Sequence, residues 1–79
     1  MQPLDLTPDD VTNLIDRLTP RQLQVIELLA QGKSDKEAGY LLSISVRTIQ
    51  GHVYRACRSI DAENRIQLIV IFAMAKSKK

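Results

Sequence analysis

The sequence predicts an all-α domain built around a helix-turn-helix motif. Apolar residues recur at intervals of three and four along most of the chain, which is the spacing of amphipathic helices, and no stretch alternates as a strand would. Helix-start signals separate these apolar stretches. Two helices are predicted over residues 34–42 and 45–60. They leave room for only a three-residue turn, counted to Ser45, which caps the second helix. The outer face of this second helix is basic. This arrangement is typical of the helix-turn-helix motif.

Length and composition limit the classes of protein that fit. The 79 residues suffice for one small domain, and a hydrophobic content of 44% predicts a packed core. With one cysteine, neither an internal disulfide nor a cysteine metal cluster is expected, and no constellation supports an enzyme, a metal or a cofactor. The N-terminus lacks a signal-peptide pattern, and the longest apolar run is too short to span a bilayer. We therefore expect a cytoplasmic protein, or a cytoplasmic fragment of one, without a membrane partner.

The net charge of +2 is unevenly distributed. Residues 1–18 hold four acids and one arginine, which gives −3, whereas residues 19–60 hold six bases and three acids, which gives +3. The remaining residues add four bases and two acids, or +2. The basic charge therefore lies after residue 19, as a nucleic-acid-binding domain requires. We divide the chain into an acidic N-terminal extension (1–17), the helix-turn-helix domain (18–76) and a basic tail (77–79).

Capping signals predict two helices in the first half of the chain. Thr7 is the expected N-cap of a short helix over residues 8–18, whose acidic outer face disfavours contact with DNA. We expect this helix to pack on the domain or on a partner. Thr19 and Gln22 form a capping box at the start of a strongly apolar second helix, which Gly32 ends in a left-handed cap.

The first helix of the motif begins at a further capping box, formed by Ser34 and Glu37. Gly39 has no side chain where the two helices of the motif must approach closely. This accounts for a glycine in a helix interior, where it costs about 1 kcal/mol relative to alanine. The residues of this helix that we expect to face the core are Ala38, Leu41 and Leu42.

The second helix of the motif, residues 45–60, has two opposite faces. Four apolar residues fall on one narrow arc, with Cys57 at its edge: Ile49, Val53, Ala56 and Ile60. The segment contains no acid, and three arginines share its outer face. An ordinary solvated surface is the alternative to a binding surface here. The outer residues are Arg47, Gln50, Gly51, Tyr54, Arg55 and Arg58.

Three other residues are assigned structural roles. His52 is the sole histidine and has no partner at metal-ligand spacing, so we expect a half-buried structural residue, with a backbone phosphate as its alternative contact. Cys57 is expected to be a small core residue and not a nucleophile. Arg65 is expected to pair with Glu27 or Glu63 as part of the scaffold.

The last predicted helix, residues 64–76, is apolar on two sides. One arc contains Ile66, Ile69, Val70 and Ala73, and the nearly opposite arc contains Leu68, Ile71, Phe72 and Ala75. A terminal helix of a small domain buries only one side in its own core, and the other side would form an exposed apolar patch. We therefore expect a second copy, or another chain, to cover one of the two arcs.

Several motifs follow one another in a fixed order along residues 18–75. They are Leu18-Thr19, Arg21, residues 25–30, Gly32, Ser34, Lys36-Glu37, Ile44-Ser45, Thr48-Ile49 and His52. In this order they resemble the DNA-binding domain of the LuxR/FixJ family of bacterial transcription regulators. The initial methionine and the lack of a receiver or ligand domain favour its stand-alone, GerE-like members, although an isolated domain would look the same. The resemblance implies a four-helix helix-turn-helix domain of LuxR type, to which the acidic first helix is an addition.

The resemblance also implies roles for individual residues. Gln50, Gly51 and Tyr54 occupy the positions that reach base edges in the family, and a glutamine can pair with adenine. Tyr54 has a base, a thymine methyl group or a phosphate as candidate contacts, and a plain surface position is its alternative. Thr48 either contacts a phosphate or serves only the helix start, where Ser45 is the cap. The remaining phosphate-binding candidates, each with simple solvation as the alternative, are Lys36, Arg47, Arg55 and Arg58.

Four positions depart from the family pattern, among them Ala56, which is smaller than the usual aliphatic residue. Gln50 stands where the family usually has lysine, and Gln22 replaces a usual glutamate. Asp35 stands where asparagine is common, which places an acid close to the expected path of a DNA phosphate.

The function that the resemblance implies is that of a sequence-specific, dimeric transcription regulator. Its expected partners are double-stranded DNA, a second copy of the chain, and RNA polymerase or another regulator, and its expected location is the cytoplasm, in association with the nucleoid. Two alternatives stay open: an interaction protein that pairs with a full-length regulator and blocks its DNA binding, and a sigma-factor-like promoter-binding module. The dimer interface that the resemblance implies is Ile66, Ile69, Val70 and Ala73.

Overall fold

The computed structural model describes residues 8–77, which form five α-helices and no strand. The all-α prediction and the order of the helices are therefore confirmed. The N-cap predicted at Thr7 and the last two residues of the basic tail lie outside the described residues. None of the helices in this described part is long and apolar enough to cross a membrane. The helices are α1 (Pro8–Ile15), α2 (Pro20–Ala30), α3 (Asp35–Leu42), α4 (Val46–Ser59) and α5 (Arg65–Lys76).

Helix α1 ends earlier than predicted, at Ile15 instead of residue 18. The amide of Arg17 donates to the Leu14 carbonyl and that of Leu18 to the Ile15 carbonyl, each at 3.0 Å. These tight three-residue turns replace the last helical turn, since Thr19 must be extended to cap α2. Leu18 nevertheless stays in the core, as the apolar spacing predicted.

Helix α1 packs on the domain, mainly against α5. Val11 is buried, whereas Asp10 on the helix and Asp16 just after it are exposed. Just beyond the helix, the Arg17 guanidinium donates to the Ser59 carbonyl at the end of α4, at 3.4 Å. The described part of the acidic extension, residues 8–17, therefore packs on the domain, and Asp10 and Asp16 face solvent.

Helix α2 begins and ends at the signals read from the sequence. The amide of Gln22 donates to the Thr19 hydroxyl at 3.1 Å, and the Thr19 amide donates to the Gln22 side-chain carbonyl at 2.9 Å. At the other end, Gly32 has a φ of 93° and its amide bonds the Leu29 carbonyl, while the amide of the next residue bonds the Leu28 carbonyl. This pair of bonds is a Schellman motif, which satisfies carbonyls at the helix end.

The close approach expected at Gly39 is confirmed, and its partner is the turn of the motif. A Cβ on Gly39 would lie 2.6 Å from the Ile44 carbonyl oxygen, so a larger residue would force the backbone apart. The Ile44 amide donates to the Gly39 carbonyl at 2.9 Å, and Ser43 takes a left-handed conformation with a φ of 60°. The three-residue turn between α3 and α4 is thus confirmed and is held by backbone hydrogen bonds.

The prediction that Leu41 faces the core is wrong, because its side chain is 53% exposed. The buried side of α3 is formed by Ala38 and Gly39, with Leu42 half-buried beside them. Leu41 lies about a third of a helical turn from the centre of that side. The sequence spacing alone allowed either direction for this residue.

The core lies between α2, α4 and α5. The apolar arc of α4 is buried as predicted, with Ile49 fully buried and Cys57 half-buried at its edge. From α5 the core receives Leu68, Ile71 and Phe72, which confirms this arc as the inner side of the last helix. Helix α3 packs across α4 and α2, so the motif rests on the core. The α2 residues that complete the core are Val25, Ile26 and Leu29.

Candidate nucleic-acid interface

The start of α4 is fixed by its own side chains. The Ser45 hydroxyl accepts the Thr48 amide at 3.0 Å, and the two hydroxyls lie 2.9 Å apart. This N-cap accounts for both residues structurally, although both remain exposed and available to a phosphate. Since the preceding turn is held by hydrogen bonds, α3 and α4 have a defined relative orientation.

The outer face of α4 presents the predicted binding residues to solvent, opposite the buried arc that includes Ile49. Tyr54 is 62% exposed, and Gly51 is half-buried. No acidic residue occurs in α4, so the charge of this face is positive throughout. The predicted site residues that are exposed are Lys36 on α3, with Ser45, Arg47, Thr48, Gln50, Tyr54, Arg55 and Arg58 at or on α4.

Two contacts order the arginines of this face. The Arg58 guanidinium lies 5.8 Å from the centre of the Tyr54 ring, a cation–π distance. The Arg55 guanidinium folds back over Gly51, so that a Cβ on Gly51 would lie 3.3 Å from Nη1 of Arg55. Gly51 therefore makes room for an arginine on the helix surface.

The half-buried position predicted for His52 is confirmed, and the residue adds no charge to the face near neutral pH. Burial lowers the pKa of its imidazole, and the positive charges of Arg55 and Arg21 lower that pKa further. Burial likewise raises the pKa of the Cys57 thiol, which keeps it protonated. Within residues 8–77, no group of histidine, cysteine and acidic side chains is arranged to hold a metal ion.

Arg65 pairs with Asp35, and the predicted pairing with Glu27 or Glu63 is wrong. Arg65 Nη1 lies 2.6 Å from Asp35 Oδ1, and Nη2 lies 3.1 Å from Oδ2. This two-pronged contact joins the first residue of α5 to the first residue of α3. Glu27 is instead 3.4 Å from the ammonium group of Lys76. The sequence offered no reason to prefer Asp35 over the other acids.

The contact with Arg65 changes the electrostatic effect of Asp35. The hydrogen bond from Arg65 is the main reason that the pKa of Asp35 is lowered, and the positive charge of Arg65 lowers it further, while burial opposes both. Asp35 is therefore ionised but compensated, and it repels a nearby phosphate less than a free acid would.

Two residues beside the predicted site were missed. Lys33 and Tyr40 line an open groove on the outer side of α3 together with Lys36, and Tyr40 is among the most exposed side chains of the domain. Lys33 was visible in the sequence only as part of the basic charge after residue 19. Tyr40 gave no signal, because its exposure follows from which side of α3 is buried.

The outer arc of α5 is apolar and partly open to solvent. Ile66 is 71% exposed and Val70 is 38% exposed, while Ala73 is exposed and Ile69 is half-buried. The structure therefore leaves these four residues on the surface, in one patch opposite the α5 residues that enter the core. This patch differs from the α4 face in having no basic side chain among its members.

Comparison with known proteins identifies the relatives of this domain. The family described as "Bacterial regulatory proteins, luxR family" matches residues 16–72, which leaves α1 outside the match. The chain is 42% identical over 50 residues to the quorum sensing-dependent transcriptional regulator RpaR of Rhodopseudomonas palustris, covering 63% of this chain and 21% of the relative. It is 37% identical over 57 residues to the glycerol metabolism activator of Pseudomonas putida, covering 72% and 26%. No solved structure matches the chain significantly.

A third relative, the transcriptional regulatory protein LiaR of Bacillus subtilis, is 34% identical over 55 residues, covering 70% of this chain and 26% of LiaR. The chain thus spans about a quarter of the length of the relatives it matches. The family match covers most of the described helices, including both helices of the motif, and these relatives are regulators and not enzymes. With its helix-turn-helix geometry and this match, the chain belongs to the LuxR family of bacterial regulatory proteins.

Proposed function

We propose that this domain binds double-stranded DNA sequence-specifically as a homodimer, with α4 in the major groove, and that it regulates transcription in this way. The observation that carries the proposal is the outer face of α4, which exposes three arginines with a glutamine and a tyrosine and contains no acid. A major groove accommodates an α-helix and displays base edges that distinguish all four base pairs.

The face divides into two kinds of contact. Gln50 is placed to read a base edge, and an adenine is the natural partner of its amide. Arg47, Arg55 and Arg58 reach for phosphates, which fix the register of the helix without reading sequence. Lys36, at the start of α3, extends the phosphate contact beyond α4, as the first helix of such motifs does when it crosses the backbone.

The outer arc of α5 is proposed as the dimer interface. Ile66 and Val70 are large apolar side chains exposed on one surface, together with Ala73 and half-buried Ile69. Pairing of two such patches about a two-fold axis would remove them from water and place two copies of α4 about 34 Å apart, on one face of the duplex. RNA polymerase or another regulator is the proposed further partner, and the cytoplasm, at the nucleoid, is the proposed location.

Selection from a randomised duplex pool tests the proposal, followed by measurement of affinity for the selected DNA at several salt concentrations. We expect enrichment of a two-fold symmetric sequence and an affinity that falls steeply with salt, because bound counterions are released from phosphates. An Arg47→Ala, Arg58→Ala double variant should bind all sequences more weakly. Absence of salt-dependent binding by the wild type contradicts the proposal.

The second candidate function is that of an interaction protein, and the same α5 patch favours it. A full-length regulator of this family that presents an equivalent patch would pair with this chain. The mixed dimer would then have one DNA-binding surface fewer than a dimer of two full-length regulators. Under this alternative the chain forms mixed dimers but shows no DNA selection of its own. Sedimentation of the chain alone and with a full-length relative separates the two functions. No described contact favours a sigma-factor-like module.

A further inference from the structure

We infer that Arg55 reads a guanine base in the major groove, because Gly51 lets its guanidinium lie at the centre of the outer face of α4. The inference rests on the proposed DNA-binding function and refines one contact within it. Among the three arginines of this face, Arg55 meets a base edge, and phosphate contact remains the role of Arg47 and Arg58. The observation behind the inference is the position of the Arg55 guanidinium over Gly51.

The first step is the position of Gly51 on the helix. Successive residues of an α-helix are about 100° apart, which places Gly51 within about 15° of the point opposite the buried residues of α4. Those buried residues are Ile49, Val53 and Ala56. A helix nearly fills the width of the major groove, so the middle of its outer face is directed at the base edges and its flanks at the phosphates. Position 51 is therefore central, and it lies in the first half of the helix, where base contacts are made.

The second step is the group that occupies this central position. Gly51 has no side chain, and the space is taken by Arg55, which lies about one turn further along the helix. A Cβ on Gly51 would lie 3.3 Å from Nη1 of Arg55, 3.6 Å from Nη2 and 3.8 Å from Cζ. Side chains of a helix lean toward its N-terminus, so an arginine at position 55 reaches over position 51. The guanidinium therefore takes the place of a side chain at position 51.

The third step is the presence of a glycine at this position. Glycine is the poorest helix former after proline, so a glycine in the interior of a binding helix needs a compensating role. At 3.3 Å, even the methyl group of an alanine would have to displace the Arg55 guanidinium, and a branched side chain would fill its space. The role of Gly51 is therefore to let the guanidinium lie against the helix.

The fourth step is the chemistry of the group. A guanidinium only donates hydrogen bonds, and two of its N–H groups match O6 and N7 of guanine in the major groove. Within residues 8–77, no carboxylate forms an ion pair with Arg55. Arg58, in contrast, rests against the Tyr54 ring in the second half of α4. Arg55 therefore presents unpaired donors at the centre of the outer face, where a guanine can accept them.

Binding to single-base variants of the selected duplex tests the inference with four proteins: the wild type, Arg55→Ala, Gly51→Val and the double variant. We expect Arg55→Ala to lose a preference for guanine at one base pair of each half-site, by about five- to 150-fold. Gly51→Val should lose the same preference, because its side chain displaces the guanidinium. In the Arg55→Ala background, Gly51→Val should leave the preference at that base pair unchanged, since no guanidinium is left to displace.

A modified base tests the contact itself. Replacement of this guanine by 7-deazaguanine removes the N7 acceptor and keeps base pairing, so it should weaken binding of the wild type but not of Arg55→Ala. Arg47→Ala is the matched control from the same face: it should bind all duplexes more weakly and keep the guanine preference. A uniform loss of affinity in Arg55→Ala would mean that Arg55 binds a phosphate. That result would overturn the inference and leave the proposed function intact.

Thermal unfolding of the free protein separates this role of Gly51 from a structural one. Valine is a better helix former than glycine, so Gly51→Val should melt at the temperature of the wild type or above it. A lower melting temperature would mean that the fold needs this glycine, and it would overturn the role given to Gly51. A wild type that selects no DNA sequence would instead contradict the proposed function, and the inference about guanine would fall with it.

Discussion

Helices α4 and α5 expose opposite kinds of surface although both bury an apolar arc in the same core. The solvent side of α4 has arginines, a glutamine and a tyrosine, whereas the solvent side of α5 has isoleucine, valine and alanine. A charged outer face needs no partner for solubility, and three arginines without an acid favour a polyanion. An apolar outer face favours another apolar surface. This difference underlies the proposal that α4 binds nucleic acid and α5 binds protein.

Within each of these two helices, the inner residues are expected to determine stability and the outer residues to determine function. Replacement of an inner residue of either helix removes core contacts and affects folding. Replacement of an outer residue leaves the fold largely intact, and its effect depends on the partner of that face.

The largest expected effect is unfolding by Phe72→Asp. Phe72 is 7% exposed, so the substitution creates a cavity and buries a carboxylate without a partner. A loss of about 4 kcal/mol or more is expected, which is most of the stability of a small domain. Circular dichroism at 25 °C should show the loss of helix. Phe72→Leu is the control, and it should stay folded because it keeps the site apolar.

The next effect is the loss of the dimer in Val70→Asp. Val70 lies two positions before Phe72 but on the outer arc of α5, so a charge there remains in water in the monomer. We expect a folded monomer that binds the selected symmetric DNA weakly, because a single half-site offers few contacts. Sedimentation and circular dichroism measure the two properties. A Val70→Asp protein that unfolds while Phe72→Asp stays folded would mean that the two faces of α5 are assigned backwards.

A smaller and more local effect is expected for Gln50→Ala on α4. The substitution should relax the preference at one base pair in each half-site, at a cost of about 1–3 kcal/mol with the preferred base, and leave the salt dependence unchanged. Arg58→Ala is the matched comparison, because it should weaken binding to all sequences alike. Binding to single-base variants of the selected duplex measures both. Equal profiles for the two variants would contradict the division between reading and phosphate-binding residues.

The smallest predicted effect is the loss at low pH of the stabilisation from the ion pair between Asp35 and Arg65, which joins α5 to the motif. Arg65 lowers the pKa of Asp35 in the folded protein. The stabilisation from this ion pair is therefore fully present above pH 3.8, the pKa of Asp35 in the unfolded chain, and is lost as the pH falls through the lower pKa of the folded state. Both side chains are partly exposed, so the contribution is about 1 kcal/mol at most. The free energy of unfolding, measured with urea, should fall less between pH 7 and pH 3 for Asp35→Asn than for the wild type. Equal losses would contradict a stabilising pair.

Much of the fold could be predicted from the sequence because its determinants are local. The capping boxes at Thr19 and Ser34, the left-handed end at Gly32 and the apolar spacing of α4 all involve residues within a few positions of one another. Long-range features were not predicted. The partner predicted for Arg65 was wrong because several acids were equally plausible, and only the three-dimensional fold brings the start of α5 within reach of Asp35.

The candidate site shows the same division. Exposure of the α4 face followed from its periodicity, since an arc opposite buried Ile49 must face solvent. The placement of the Arg55 guanidinium over Gly51 and the pairing of Arg65 with Asp35 did not follow, because side-chain conformation depends on neighbours that the sequence does not specify. The prediction that Leu41 faces the core was wrong for a related reason: in a helix of only eight residues, the apolar spacing indicates the buried side poorly.

The central claim is that the outer face of α4, and not the basic charge of the domain in general, meets DNA. The direct test is the slope of log affinity against log salt concentration for the selected duplex. It compares the wild type with Arg58→Ala and with Lys76→Ala, which removes the same charge from the far end of α5. We expect Arg58→Ala to reduce the slope by about one unit for each lost phosphate contact and Lys76→Ala to leave it unchanged. Equal slopes for the two variants, or a wild type without salt-dependent binding, would contradict the claim.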